Sequence, residues 1–491
     1  MDEPLFKPNR RLLLQASIAA ALTGAVSARA QSGEAGAQQG GISPLMRMVS
    51  LYIAGAAQRP LPDAVVEVTK HHLLDTLAAM ISGSQLLPGK MAIAYVKQLG
   101  GTQEACVPGS RIVTNVVNAA LAGGMLAHAD ETDDSYPQSG THPGAPVVPA
   151  AIAMAERSGA DGTALLRAIA LGYDMCVRFS LALGVREFRA AGHDTYGYSG
   201  TFGAAAAAAS LAGLNSDQVR YVLSYAAQQA SGIPNYPRDT QHIEKSFNFG
   251  GRPAKNGVLA ATMVGIGMTG VDDVFSGSQN FFATFGPKVK PDEIVRELGV
   301  RYDMMRTSIK KWSVGNPAQA PLDSLAELIR ANNVKAADVE KIVVRVERSG
   351  AITINNRSMP DINMQYLAAV MLLDGTLTFA AAHDVPRMQD PQVLELRKRV
   401  EVFGDDEMTR ALPDRHAVVE MKLRDGRELR LRTTQVRGTM NNPMTREEVE
   451  AKAYQLCSPV LGEKRARALI DTIWRIEQLK NLRALRPLLR A

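Results

Sequence analysis

The chain has 491 residues, of which 46% are apolar, 21% charged and 5% aromatic, and this globular composition excludes a disordered or collagen-like polymer. Its length exceeds the roughly 250–300 residues at which a single core stops growing, so two domains are expected. The 55 Lys+Arg and 49 Asp+Glu leave a net charge of +6, spread without a basic stripe interleaved with aromatics; this argues against a nucleic-acid partner and suits a small anionic substrate.

The first element is N-terminal. Asn9-Arg10-Arg11 precedes an apolar stretch to about Val26, followed by Ala28-Arg29-Ala30, a small-x-small cleavage site. The pattern resembles a twin-arginine export signal. The run is too short and too weakly apolar to span a bilayer, which takes about 20 apolar residues. Residues 1–30 are therefore expected to be a signal peptide, 31–41 a Gly/Ser/Gln-rich linker, and the mature protein periplasmic with no membrane association after cleavage. The alternative is an uncleaved amphipathic helix on a cytoplasmic protein.

From 42 to 306 the pattern is helical. Apolar residues recur at three and four in Leu45, Met48, Leu51, Tyr52 and in Val65, Val68, Leu73, Leu74, Leu77. Ala204 to Ala209 is a six-alanine run entered through Gly200-Thr201-Phe202-Gly203; such small side chains let neighbouring backbones approach, which places that helix at the centre of a bundle. Gly123-Gly124 reads the same way, and His71-His72 reads as a partly exposed pair on an amphipathic helix. The period then changes to two at Lys341–Glu347, Ala417–Leu423 and Glu428–Thr433, the last two joined through the turn Asp425-Gly426. Thr445 to Glu448 is a capping box, and an amphipathic helical stretch runs from Glu463 to Leu485. The expected fold class is mainly α: a large all-helical domain, 42–306 with a C-terminal return over 443–491, and an inserted smaller α+β lid domain over 307–442. The binding cleft is expected between them.

Cys106, Cys176 and Cys457 are spaced too widely for a zinc or iron–sulfur pattern and are too few for a disulfide framework; one pair could bridge, but nothing selects it. The chemistry concentrates in His128-Ala129-Asp130-Glu131-Thr132-Asp133-Asp134-Ser135, with four carboxylates in five positions, followed by Thr141-His142-Pro143-Gly144. On a helix Glu131 would share a face with Ser135, and Asp130 with Asp134, so that at least one acid points inward. The plain alternative is a solvated acidic helix end. A metal site built from these acids with His128 and His142 has no strict ligand spacing such as H-E-x-x-H.

Taken in order, six landmarks resemble the MmgE/PrpD family over about residues 45–485. They are His128 to Ser135; His142-Pro143-Gly144; His193 ahead of Gly200-Thr201-Phe202-Gly203; Lys245 ahead of Asn256-Gly257; Ile309-Lys310-Lys311-Trp312; and Gln365-Tyr366 ahead of Met371-Leu372-Leu373-Asp374-Gly375. The family contains 2-methylcitrate dehydratases, cis-aconitate decarboxylases and an iminodisuccinate epimerase. The resemblance implies an enzyme with no metal or other cofactor, usually a homodimer, acting on a small di- or tricarboxylic acid. Carried over residue by residue, it implies catalytic roles for His142, Glu131, Asp133, Ser135, His193 and Tyr366, and substrate binding by Lys245 and Lys310. Five departures accompany it. Glu131 stands where the decarboxylase branch has Asp, Ser135 stands for Thr, and the segments before His142 and after His193 are each one residue longer. Gly315 stands where dehydratase and decarboxylase relatives carry His.

Acids of this kind react at a carbon alpha to a carboxylate, so the site needs cations for the acid groups and a base for the proton. Lys245 and Lys310 suit the first role. His142, with an ordinary pKa near 6.5, suits the second, with Glu131 or Asp133 orienting it and Tyr366 as a proton donor. The expected reaction is elimination of water, as in 2-methylcitrate dehydratase. Epimerisation without elimination is the alternative favoured by Gly315, decarboxylation comes third, and an exported carboxylate-binding protein is the alternative outside enzymes.

Overall fold

The computed structural model describes residues 41–285 and 288–491; the expected signal over 1–30 and nearly all of the linker lie outside the described residues. The fold is mainly α. Local signals set the helix starts. Ser43 caps Pro44–Ala54 by accepting from the Met46 amide, Asn115 caps Val116–Ala127, and Thr445 closes a full capping box with Glu448 at the start of Arg446–Leu461.

Two large apolar cores form, beside a small cluster of Val65, Ala170 and Tyr302. One gathers residues between Met46 and Ile309 together with Met444 to Leu489, and the other gathers Trp312 to Val436. At the centre of the first lies the alanine-rich helix Thr195–Leu211, whose Ala204 to Ala209 are at most 1% exposed. It packs against Gly162–Leu183 and Arg252–Gly265. A Cβ added at Gly203 would come within 2.7 Å of both Cys176 Cβ and the Gly172 carbonyl, so glycine is required there by the closeness of the helices. Gly123 is equally constrained, since its added Cβ would lie 2.7 Å from Pro149.

Two short strands, β1 (Ala105–Cys106) and β2 (Val113–Thr114), pair antiparallel at the edge of the first core. The second core is built on a four-stranded sheet of β3 (Val339–Glu347), β4 (Val400–Asp405), β5 (Ala417–Leu423) and β6 (Glu428–Thr433), in the order β4-β3-β5-β6. β3, β5 and β6 are the three segments whose alternation marks them in the sequence. β4 is an addition: it runs parallel to β3, with Ile342 opposite Val400, after a helical crossover that includes Met364–Asp374. The helix Asn316–Asn332 covers β5 and β6.

Three expectations are corrected. The acid segment is not helical: Val116–Ala127 ends at His128, and residues 128–143 form a buried, irregular loop. The last amphipathic stretch is α-helical only over Glu463–Trp474 and then tightens into 3₁₀ turns. His72 is 1% exposed and belongs to a buried polar network, while its neighbour His71 packs edge-on against Trp474. All three cysteines are free and buried.

Candidate active site

The loop that follows Val116–Ala127 carries the four acids into the interior, where Asp130, Glu131, Asp133 and Asp134 are 3%, 7%, 0% and 0% exposed. Burying that much charge is tolerable only with partners for every carboxylate. Each has them. Asp134 accepts from the Tyr173 hydroxyl at 2.6 Å and the Gly144 amide at 2.9 Å, and its Oδ2 lies 2.8 Å from His72 Nδ1. Asp133 sits between two imidazoles, 2.9 Å from His128 Nδ1 and 3.1 Å from His142 Nδ1, with Lys310 Nζ 3.5 Å away. Asp130 accepts from the Thr132 amide and lies 2.9 Å from His383 Nε2, an ion pair too bent to count as an aligned hydrogen bond. Glu131 pairs with Lys245 and lies 3.9 Å from Lys310.

Two lysines from distant segments fix the loop backbone. Lys310 Nζ donates to the Glu131 carbonyl at 2.7 Å, and Lys452 Nζ donates to the Thr132 carbonyl at 3.0 Å while pairing with buried Asp75 at 2.6 Å. His142, Lys245 and Lys310 therefore converge on the Glu131–Asp133 segment, although they are far apart in the chain.

Electrostatics follow from these contacts. Burial alone would raise the Asp133 carboxyl, but the two imidazoles and the Lys310 ammonium hold it well below its usual range; Lys245 and Lys310 do the same for Glu131. Burial lowers His142 to about 4, against the opposing pull of Asp133. His142 is thus a neutral imidazole near neutral pH. Ionised Asp133 can only accept, so Nδ1 carries the hydrogen and Nε2 the lone pair. Nε2 has no hydrogen-bond partner among the described residues, and the ring is boxed by His128, Tyr196 and Phe249 at centroid distances of 5.0, 5.4 and 5.6 Å. Burial raises Asp361 to about 6, and Asp130 drives His383 up to about 9 despite burial.

A cleft opens beside this cluster, lined by Ser135, Arg306, Lys310, Asn316, Gln319 and Arg415, among others. Ser135 is paired by backbone to Ser308 and donates its hydroxyl to Asn316 at 3.2 Å. A second cavity is lined by Asp130, His242, Asp361 and His383 with apolar Leu87 and Met359. Gly315 starts the helix Asn316–Asn332 and donates its amide to the Asp361 carbonyl; a Cβ there would press on Ile362 at 2.9 Å.

Two of the expected site residues stand elsewhere. His193 packs among Phe188, Tyr198 and Phe285, with ring centroids 4.7, 5.8 and 5.4 Å away, and among the described residues it makes no hydrogen bond to the acid segment. Tyr366 is fully buried in the second core and donates its hydroxyl to the Ala381 carbonyl at 2.6 Å. It thereby braces the turn from which His383 reaches Asp130. His383, Asp361 and His242 are contributions that the sequence does not advertise. His242 lies three residues before Lys245, in a left-handed conformation with φ 61°, and its Nε2 is buried without a partner.

Two trios bring metal-ligating atoms within 4.8 Å of one another, His128–Asp133–His142 and His128–Glu131–His242. In each the carboxylate already faces an ammonium group, Lys310 or Lys245, and a dication would have to sit beside that like charge. The residues present suit proton transfer better than metal binding.

A neutral, buried imidazole held by a carboxylate, beside two ammonium groups and a basic cleft, supplies the kinds of group that proton transfer on an anion requires. The chain belongs to the MmgE/PrpD family: the MmgE/PrpD N-terminal domain matches residues 47–294 and the MmgE/PrpD C-terminal domain matches 312–478. The gap between the matches falls where the first apolar core gives way to the second. Among similar proteins, the cis-aconitate decarboxylase of Homo sapiens is 27% identical, covering 88% of this chain and 91% of that protein. The mouse cis-aconitate decarboxylase is 25% identical over 89% and 92%. A 2-methylcitrate dehydratase-like protein of Aspergillus oryzae is 25% identical over 54% and 56%.

Proposed function

We propose that the chain is a lyase that takes the proton alpha to a carboxylate of a small di- or tricarboxylic acid and then eliminates water, in the manner of a 2-methylcitrate dehydratase. One observation carries this reading: His142 is fixed through Nδ1 by Asp133 and presents an unengaged Nε2 lone pair. Nε2 accepts the alpha proton and, as the imidazolium N–H, returns it to the departing hydroxide so that water leaves, while the negative charge that grows on the neighbouring carboxylate is met by Lys310 and the arginines of the adjoining cleft. A mere binding protein needs the cations but not a desolvated base.

Decarboxylation is the second reading, supported by the near full-length similarity to cis-aconitate decarboxylases. Epimerisation is supported by Gly315, which leaves no side chain at a position where the family's dehydratases and decarboxylases carry an imidazole.

The test is incubation with citrate, 2-methylcitrate and cis-aconitate in deuterium oxide, followed by proton NMR. Loss of an alpha-proton signal is expected with at least one acid, and the fate of the carbon skeleton separates the three reactions. Full retention of every alpha proton, with no product, overturns the proton-abstraction reading.

The working form is proposed to be a periplasmic homodimer. Leu87, Met91, Tyr95 and Leu99 recur every four residues along Leu87–Leu99, each 44–53% exposed, and this unpartnered apolar row supports a second copy as its cover. Export rests on Arg10-Arg11. Replacing both by lysine is expected to leave the precursor in the cytoplasm on cell fractionation; undiminished periplasmic protein would refute the twin-arginine route.

A further inference from the structure

We infer that the cavity lined by Asp130, His242, Asp361 and His383 is a second binding site, and that its ligand is a small organic cation, a primary alkylammonium. It shares no lining residue with the basic cleft beside Ser135 and Lys310, so the acid segment serves two cavities of opposite charge, through Asp130 in one and Ser135 in the other.

Asp361 carries the argument. It is 3% exposed and lines the cavity, yet its carboxylate makes no hydrogen bond or ion pair among the described residues. The acids whose charge bears on it, Asp130 and Glu131, are answered by His383 at 2.9 Å and by Lys245. Counted together, Asp130, Glu131 and Asp361 face His383 and Lys245, three acids against two cationic groups. His242 adds no charge, because burial and the Lys245 ammonium hold it well below the usual imidazole value. One more positive charge completes the balance, and a buried carboxylate without one is costly.

The lining selects the kind of cation. A bare metal ion needs several ligand atoms close together, and among the described residues Asp361 belongs to neither trio whose ligating atoms converge within 4.8 Å. The volume of about 410 Å³ holds a molecule rather than an ion, and Leu87 and Met359 give it apolar walls. No Phe, Tyr or Trp lines it, so a quaternary ammonium would find none of the aromatic faces that such cations favour. A primary ammonium fits: its N–H groups donate to the Asp361 carboxylate and the neutral His242 ring, while a short alkyl chain lies along the apolar wall.

The test is calorimetric titration of the full chain with n-butylammonium chloride, at about pH 7.5 in a buffer that is not itself a primary amine. Saturable binding is expected with a Kd of about 1 mM, with tetramethylammonium about tenfold or more weaker and Mg²⁺ giving no saturable heat. Asp361→Asn keeps the shape and removes the charge, and should weaken butylammonium about tenfold or more. The carboxylate strands no partner when it is replaced, so circular dichroism should not change. The natural chain supplies a second readout. Burial raises Asp361 to about 6, so affinity should be level above about pH 7 and fall about tenfold per pH unit below about pH 6, as the carboxyl takes up a proton. The groups around it keep their charge over that range: His383 is raised to about 9, Lys245 is raised, Asp130 and Glu131 are held low by their partners against burial, and His242 stays neutral. No saturable binding, tetramethylammonium or Mg²⁺ bound as tightly as butylammonium, undiminished binding by Asp361→Asn, or an affinity indifferent to pH overturns the assignment. The lyase reading stands or falls separately, on exchange of the alpha proton.

Discussion

Replacing His142 with alanine is expected to lower turnover by about 10²- to 10⁴-fold, the usual contribution of a positioned general base, in a chain that still folds. Folding should survive because Asp133 keeps His128 at 2.9 Å and Lys310 at 3.5 Å, so no carboxylate is left unpaired. Alpha-proton exchange in deuterium oxide should fall with the rate, and circular dichroism should not change. The pH profile gives an independent readout. With His142 lowered to about 4 by burial, kcat/KM should fall on the acid side near pH 4 and stay level through pH 6.5, where an ordinary histidine would already be protonated. Asp133 raises His142 against burial, so Asp133→Asn should move that acid limb lower still and make the base weaker. An unchanged rate in the alanine variant removes His142 from the mechanism; an acid limb at 6.5 removes the desolvated base.

The second large effect is on stability. Asp134→Ala is expected to cost on the order of 4 kcal/mol, because it strands the Tyr173 hydroxyl, the His72 ring and the Gly144 amide without their acceptor in a dry interior. Asp134→Asn, which keeps one acceptor oxygen, should cost less. Activity should fall along with the denaturation midpoint, since Gly144 begins the helix Gly144–Ser158 directly after His142-Pro143 and its amide fixes where the imidazole sits. A midpoint within error of the natural chain would show that the three donors find other partners and that the network is dispensable.

These two residues show what the sequence made legible. The alternation of Lys341–Glu347, Ala417–Leu423 and Glu428–Thr433 was enough for three of the four strands of the larger sheet. β4 is obscured because the alternation of Val400 to Asp405 breaks off after Val402, where exposed Phe403 and Gly404 follow. The alanine run located the central helix because close approach is a local steric property. The acid segment was found but its shape was not: helical spacing was a natural reading of 130–135, and the loop exists because Lys310 and Lys452 bind its carbonyls, a contact that no local pattern carries. The same reason hides His383 and Asp361, whose roles come from where the second core's turns land on the first core's acids. Tyr366 and His193 fit the family order, yet in the structure Tyr366 braces a turn and half-buried His193 packs among aromatics.

The lysine tethers on the Glu131 and Thr132 carbonyls bridge separations of 179 and 320 residues. Closing loops of that size comes late in folding, after local helices have formed. During synthesis the emerging polypeptide therefore holds its reactive groups for a long time without their final arrangement, and the last tether is tied only when the segment around residue 452 docks. Competence for chemistry thus doubles as a proofreading signal for completeness, and a product truncated short of that helix would be catalytically silent however well its earlier helices had packed.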